Sequence, residues 1–135
     1  MNIERLQHNN DLVRRFYAAV PQIDDDLSYF FTDDFFITEA DDLPYGGEYR
    51  GKLAMRELVT RINEMITVAD VQIHRLAVSE DSVIATLSFD LDVGNGMHER
   101  QYVAEEFLLT GDLIREVRPY YFNNALMHRN LTAQA

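Results

Sequence analysis

The sequence contains no cysteine and no tryptophan, a single lysine, three prolines and six glycines. Without cysteine there is no disulfide, no thiolate metal site and no cysteine nucleophile, and the redox compartment leaves no trace. Basic residues are scarce: 12 face 23 acids in 135 residues, so the formal net charge is −11. A partner held through phosphates needs a basic face, which excludes nucleic acids and anionic membrane surfaces as expected partners. No run approaches the roughly 18 apolar residues of a membrane span, and Met1-Asn2-Ile3-Glu4-Arg5 lacks a basic stretch leading into an apolar one. The expectation is a cytoplasmic protein. Repeats, low-complexity tracts and linkers are also missing, so residues 1–135 read as a single domain with a core over about 3–123 and a polar tail over 124–135. A chain of this length buries roughly two-thirds of its unfolded surface without staples.

What is present is a clear change of period along the chain. Ile3, Leu6, Leu12, Val13, Phe16, Tyr17 and Val20 fall at helical spacing, and Pro21 stops the helix. Asp24-Asp25-Asp26 predicts amino-terminal caps for a short helix through Leu27, Tyr29, Phe30 and Phe31. Asp33-Asp34 reads as a turn before a first strand, Phe35 to Glu39, and the glycine- and proline-bearing stretch Asp41 to Gly51 reads as a loop. Leu53, Met55, Leu58, Val59, Ile62, Met65 and Ile66 restore a helix over Lys52 to Ile66. From Val71 the period becomes two, with Val83, Ala85, Leu87, Phe89 and Leu91 forming one face of a strand. Gly94-Asn95-Gly96 is a hairpin turn, Met97 to Leu109 pairs back, Thr110-Gly111-Asp112 turns again, and Leu113 to Phe122 is the last long strand. Helices first and a meander of long antiparallel strands after them define an α+β layout with helices on one face of a sheet. Such strands must bend around so few helices, which tends to leave an apolar pocket at the open end.

The acid excess is uneven. Between Arg15 and Arg50 there is no basic residue, while Asp24, Asp25, Asp26, Asp33, Asp34, Glu39, Asp41, Asp42 and Glu48 all lie there. Either the block is a solvated, helix-capping surface, or one of its carboxylates points inward. Strand phase singles out a second acid: Glu105 shares parity with Val103, Phe107 and Leu109 and so faces the apolar side, whereas Glu106 shares parity with His98, Arg100 and Tyr102. An inward acid with no base nearby is desolvated, and its proton affinity rises. The alternative for Glu105 is an edge position or a buried hydrogen bond to a tyrosine. For Glu39 it is an exposed acid at a strand end beside Asp41 and Asp42.

The segment Val13-Arg14-Arg15-Phe16-Tyr17-Ala18-Ala19-Val20 resembles the first helix of the ketosteroid isomerase and SnoaL-like (nuclear transport factor 2-like) superfamily. Phe30-Phe31-Thr32-Asp33-Asp34, Tyr49-Arg50-Gly51 before Met55-Arg56-Glu57-Leu58, the Leu87-Ser88-Phe89 strand, and Glu106 to Ile114 followed by Tyr120-Tyr121-Phe122 extend the resemblance over about Asp11 to Asn123. It implies a cone: a curved, mixed, mostly antiparallel sheet wrapped around about three amino-terminal helices and enclosing an apolar pocket. It also places Glu39 where ketosteroid isomerase carries its proton-shuttling aspartate, and Glu105 where that enzyme holds a protonated, hydrogen-bond-donating aspartate. Phe16 stands where that enzyme's oxyanion tyrosine would be, without a hydroxyl, and Val59 replaces its supporting tyrosine. Asn123 occupies the place of a last-strand acid of the cyclases, and Pro119 that of an aspartate of the epoxide hydrolases. Because the superfamily hosts many activities, fold alone narrows chemistry little.

The functional expectation is therefore a small apolar molecule bound in the cone, turned over without a cofactor by carboxylate proton transfer of the isomerase, cyclase or dehydratase kind. Glu39 would be the base, protonated Glu105 the donor to the oxyanion, and Phe16, Tyr17, Tyr45, Phe89, Phe107, Tyr121 and Asn123 the ligand contacts. Tyr45, in a Pro-Tyr-Gly-Gly loop, is expected as a mobile lid contact. The alternative is a non-catalytic binding or dimerisation module, and the resemblance implies a homodimer through the sheet. His8, His74, His98 and His128 show no ligand spacing, so no metal site is expected, and no serine sits in a nucleophile elbow.

Overall fold

The three-dimensional description comes from a computed structural model that describes residues 2–22, 27–94 and 96–128. Helix α1 (Ile3–Ala19) begins where the Asn2 side chain accepts from the Arg5 amide at 3.0 Å, and it buries Leu12, Val13 and Phe16 before Pro21 ends the pattern. The expected caps Asp24 to Asp26 lie outside the described residues. Only a single 3₁₀ turn, Ser28–Phe30, follows them. Strand β1 (Phe31–Glu39), strand β2 (Gly47–Arg50), helix α2 (Ala54–Met65) and strands β3 (Val68–Val78), β4 (Ser82–Gly94), β5 (Met97–Thr110) and β6 (Leu113–Tyr121) complete the order. A last helical turn spans residues 124–128.

The six strands form one sheet in the order β2-β1-β6-β5-β4-β3. Every neighbouring pair is antiparallel except β1 with β6, which run parallel and so bring their carboxyl ends, Glu39 and Tyr121, to one end of the sheet. The mixed, mostly antiparallel α+β architecture is thus the one expected.

Two strand boundaries differ from the pattern reading. Strand β1 starts at Phe31 rather than Phe35, because Asp33 and Asp34 are exposed residues within the strand, at a register shift between Phe31 and Phe36 against β6. Gly47 to Arg50, read as loop, pairs with the end of β1 as a short edge strand.

The inner face of the sheet and the helices share one core. Val83, Ala85, Leu87, Phe89 and Leu91 of β4 and Val103, Phe107 and Leu109 of β5 are buried, as their parity requires. Phe16 is the hub of an aromatic cluster, edge-on to Phe30 at 5.6 Å and to Phe107 at 5.6 Å between ring centroids. Each such pair adds roughly 0.5–1.5 kcal/mol beyond the area it buries. Among the described residues no helix is long and apolar enough to cross a membrane.

Candidate functional site

Between α1, α2 and the curved sheet lies a cavity of about 510 Å³. Its wall is apolar over most of its extent, with Ile37, Met55, Leu58, Ile62, Ile66, Leu87 and Phe89 among the lining side chains. Arg14, Ala18, Pro21, Asn63 and Val71 line it while remaining exposed, and so mark its opening.

The polar part of the wall consists of two carboxyls and three phenols. Glu39, the last residue of β1, is 1% exposed, which rules out the solvated strand-end alternative. Its Oε1 atom has no hydrogen-bond partner. Glu105 lies on the central strand β5, half-buried, and it lines the same cavity. The Tyr17 hydroxyl donates to Glu105 Oε1 at 2.6 Å. Tyr17 follows Phe16 by about 100° around α1, enough to carry its hydroxyl to the cavity while Phe16 stays mostly in the core. Beside Glu39, the Tyr45 and Tyr121 hydroxyls share a hydrogen bond of 2.6 Å.

Burial in apolar surroundings dominates the electrostatics. It pushes the Glu39 carboxyl up to about 8; the charge of Glu105 adds to the rise, and the Tyr121 hydroxyl offsets part of it. Glu105 is also raised by burial, against which the Tyr17 hydroxyl acts. Both carboxyls therefore resist ionisation, and a charge on Glu105 makes ionisation of Glu39 harder still. All three phenols are held above the usual tyrosine range, first by burial and then by these carboxylates. Arg14 is the one cation among the lining residues, and it sits at the opening.

Of the residues expected at the site, Glu39, Glu105, Phe16, Tyr17, Tyr45, Phe89 and Tyr121 line the cavity. Phe107 and Asn123 do not. Phe107 is fully buried behind the wall, edge-on to Phe16 and Tyr17. Asn123 lies past β6, where its carbonyl accepts from Gln101 Nε2 at 2.7 Å and its side chain accepts from the Leu126 amide. Its two oxygens are thus used by Gln101 of β5 and by the turn after β6.

Tyr45 is in the wall, but it is no lid. It is 0% exposed, and its loop is tied by Leu43 N to Ala40 O at 3.0 Å and Gly46 N to Leu43 O at 2.9 Å. A Cβ on Gly46 would lie 2.3 Å from the Ala40 carbonyl oxygen, so that tight turn requires glycine. The Tyr49 hydroxyl donates to the Tyr45 carbonyl at 2.9 Å and closes the loop against β2.

Pattern reading missed Val59 and Ile62 of α2, Ile66 just past it, and Val68 and Ile73 of β3 as cavity wall. Their helical and strand periodicity marks an inward face but does not distinguish packed core from cavity lining. The histidines are spread over the surface: His8 pairs with Asp112 at 2.9 Å, His74 bonds Ser88 Oγ at 2.7 Å, and His128 bonds the Asp42 carbonyl. Among the described residues no group of three or more His, Asp or Glu is arranged to hold a metal ion.

No family model and no curated protein matches the sequence. Solved structures do match the fold over nearly the whole chain. An NTF2-like protein from Burkholderia xenovorans LB400 superposes with a TM-score of 0.78 at 17% identity, covering 93% of this chain and 97% of that one. TerC, co-crystallised with polyporic acid, gives 0.79 at 11% identity over 93% and 98%. An LEH-like epoxide hydrolase of M. tuberculosis gives 0.69 at 18% identity over 94% and 91%. At these identities the likeness is one of fold: the chain has the NTF2-like cone fold shared by binding proteins and enzymes alike.

Proposed function

We propose that the protein binds a small apolar molecule bearing a carbonyl or similar acceptor and moves a proton on it without a cofactor. The observation that carries this is Glu39: a carboxyl at 1% exposure with an unpartnered oxygen, on the wall of a 510 Å³ cavity that also holds Glu105. Leaving such an atom unsatisfied costs on the order of 1–3 kcal/mol, and a ligand group can recover that cost. Two carboxyls that both resist ionisation in one chamber divide the work: one, ionised, takes the proton, and the other, still protonated, donates to the acceptor oxygen. One carboxyl of each kind in an apolar chamber is the arrangement an isomerase, cyclase or dehydratase needs.

Solvent-deuterium incorporation into a panel of enolisable ketones and lactones, chosen from compounds that raise the melting temperature, tests this reading. Exchange is expected with the wild type, and a loss of at least about 100-fold with Glu105→Gln or Glu39→Gln while the thermal shift persists. Binding without exchange leaves a carrier or sensor pocket. A second proposal concerns assembly. Ile84, Tyr102 and Tyr120 are exposed at 44%, 51% and 52% on the outer face of β4, β5 and β6, and this patch supports a homodimer through the sheet. Light scattering of the wild type and of Tyr102→Glu tests that; a wild-type monomer rules it out.

A further inference from the structure

We infer that the molecule bound in the cavity is an amphipathic monoanion, with its apolar body and acceptor group inside and a carboxylate at its other end held at the opening by Arg14 and Asn63. This rests on the proposed function and names its substrate class.

The polar groups of the wall differ between its two ends. Inside are two carboxyls, Glu39 and Glu105, and three phenols. At the opening the polar side chains are Arg14 from α1 and Asn63 from α2, while the other exposed lining residues, Ala18, Pro21 and Val71, are apolar. A guanidinium carries five N–H donors and no acceptor, and the asparagine amide adds two more donors. The rim thus offers donors and a positive charge where the interior offers acids.

Helix α1 puts Arg14 there. Arg14 precedes Tyr17 by three residues and Ala18 by four, the spacing of one helical face. The stripe that brings the Tyr17 hydroxyl to Glu105 therefore also brings Arg14 to the rim, about 4.5 Å away along the helix axis.

Arg14 is also unclaimed. Arg5, Arg50, Lys52, Arg100 and Arg118 each hold a carboxylate oxygen within 3.2 Å. Arg14 has no such partner among the described residues, and no acid lines the opening. Arg15, Arg56, Arg75 and Arg115 are likewise without an acid partner there, but none of them lines the cavity. In a chain of net charge −11, an unpaired cation at the mouth of an apolar chamber reverses the local field.

These positions leave a ligand one orientation. An anionic group placed deeper would be desolvated beside Glu39 and Glu105 with no cation to offset it. At the rim it keeps contact with water and meets the guanidinium, whose planar fork matches one carboxylate. A dianion such as a phosphate monoester would keep a charge that this single arginine does not balance.

The test is calorimetric titration with levulinate and its longer methyl-ketone homologues, each compared with its primary amide, which keeps the shape and loses the charge. For the chain length that fits, the wild type is expected to bind the acid about 5- to 50-fold more tightly than the amide. Arg14→Gln should remove most of that preference and leave the amide affinity within about twofold, and Asn63→Ala should remove a smaller part. Arg15→Gln, the same charge change outside the cavity, should keep the preference. Added salt should narrow it in the wild type and have little effect in Arg14→Gln. Amides that bind as tightly as the acids, acids that do not bind at all, or a preference unchanged in Arg14→Gln would each overturn the inference. Deuterium exchange into the same ketones reads proton transfer separately. Exchange without any preference for the acid overturns the inference and leaves the proposed function standing, whereas an Arg14-dependent preference without exchange supports the anion site and overturns the proton transfer.

Discussion

Acidic side chains inside the cone and on its surface meet opposite company. On the surface they find cations. Asp70 and Asp90 both accept from Arg100, at 3.0 and 2.9 Å, and Asp112 is held below its ordinary value by the hydrogen bond from Arg5 and by His8. Inside, Glu39 and Glu105 find only phenols, and both are pushed upward by burial. The same functional group is made a permanent charge in one place and a proton store in the other. Composition alone, with its 23 acids, does not tell these apart.

The sharpest way to break the contrast is to remove the proton store. The folded-state midpoint of Glu39, about 8, lies above its ordinary 4.5, so the folded protein holds a proton that the unfolded chain releases. Its contribution to stability is complete below about 4.5, declines as pH rises between the two values and is gone above about 8. The full swing is on the order of 5 kcal/mol. Urea unfolding at pH 5 and pH 8.5 should show this loss in the wild type and a clearly smaller one in Glu39→Gln, where only the rise at Glu105 remains. Equal slopes in the two proteins would place Glu39 among ordinary surface acids.

Next in size is the phenol that serves Glu105. Tyr17→Phe deletes the 2.6 Å bond and keeps the ring packed on Phe107, so a loss of about 1–3 kcal/mol at pH 7 is expected from the unsatisfied carboxylate. The loss should shrink on acidification, once Glu105 is protonated; a pH-independent loss would point to packing instead. The smallest effect belongs outside. Lys52 reaches Asp33 at 3.2 Å with the aspartate side chain 96% exposed, and Lys52→Met should change stability by no more than about 0.5 kcal/mol. Added salt should leave the interior effects in place and erase this one.

Much of the cone was legible because the pattern of each element repeats over many residues. The alternation along β4 and β5 named the inner face residue by residue, and the same parity turned Glu105 inward and Glu106 outward. What escaped depended on contacts distant in sequence. Gly47 to Arg50 is too short and too rich in turn formers to show a period, and only its pairing with β1 makes it a strand. Phe107 and Asn123 have the right chemistry for a ligand wall. One is screened by Phe16 and Tyr17, and the other is consumed by Gln101 and the turn after it. Tyr45 looked like a lid because proline and glycine flank it. Those same residues fold the loop tightly enough to bury it completely.

The parallel pairing of β1 with β6 also sets a timetable. Glu39 is made well before Tyr121, yet they share one end of the sheet, and β5 with Glu105 comes only shortly before β6. A chain still emerging from the ribosome therefore carries α1, β1 and α2 without the floor of their chamber. Contacts spanning most of the chain are slow to close. The chamber and its stored proton therefore depend on strands made well after α1 and β1, and a chain that stops short of β5 and β6 has neither.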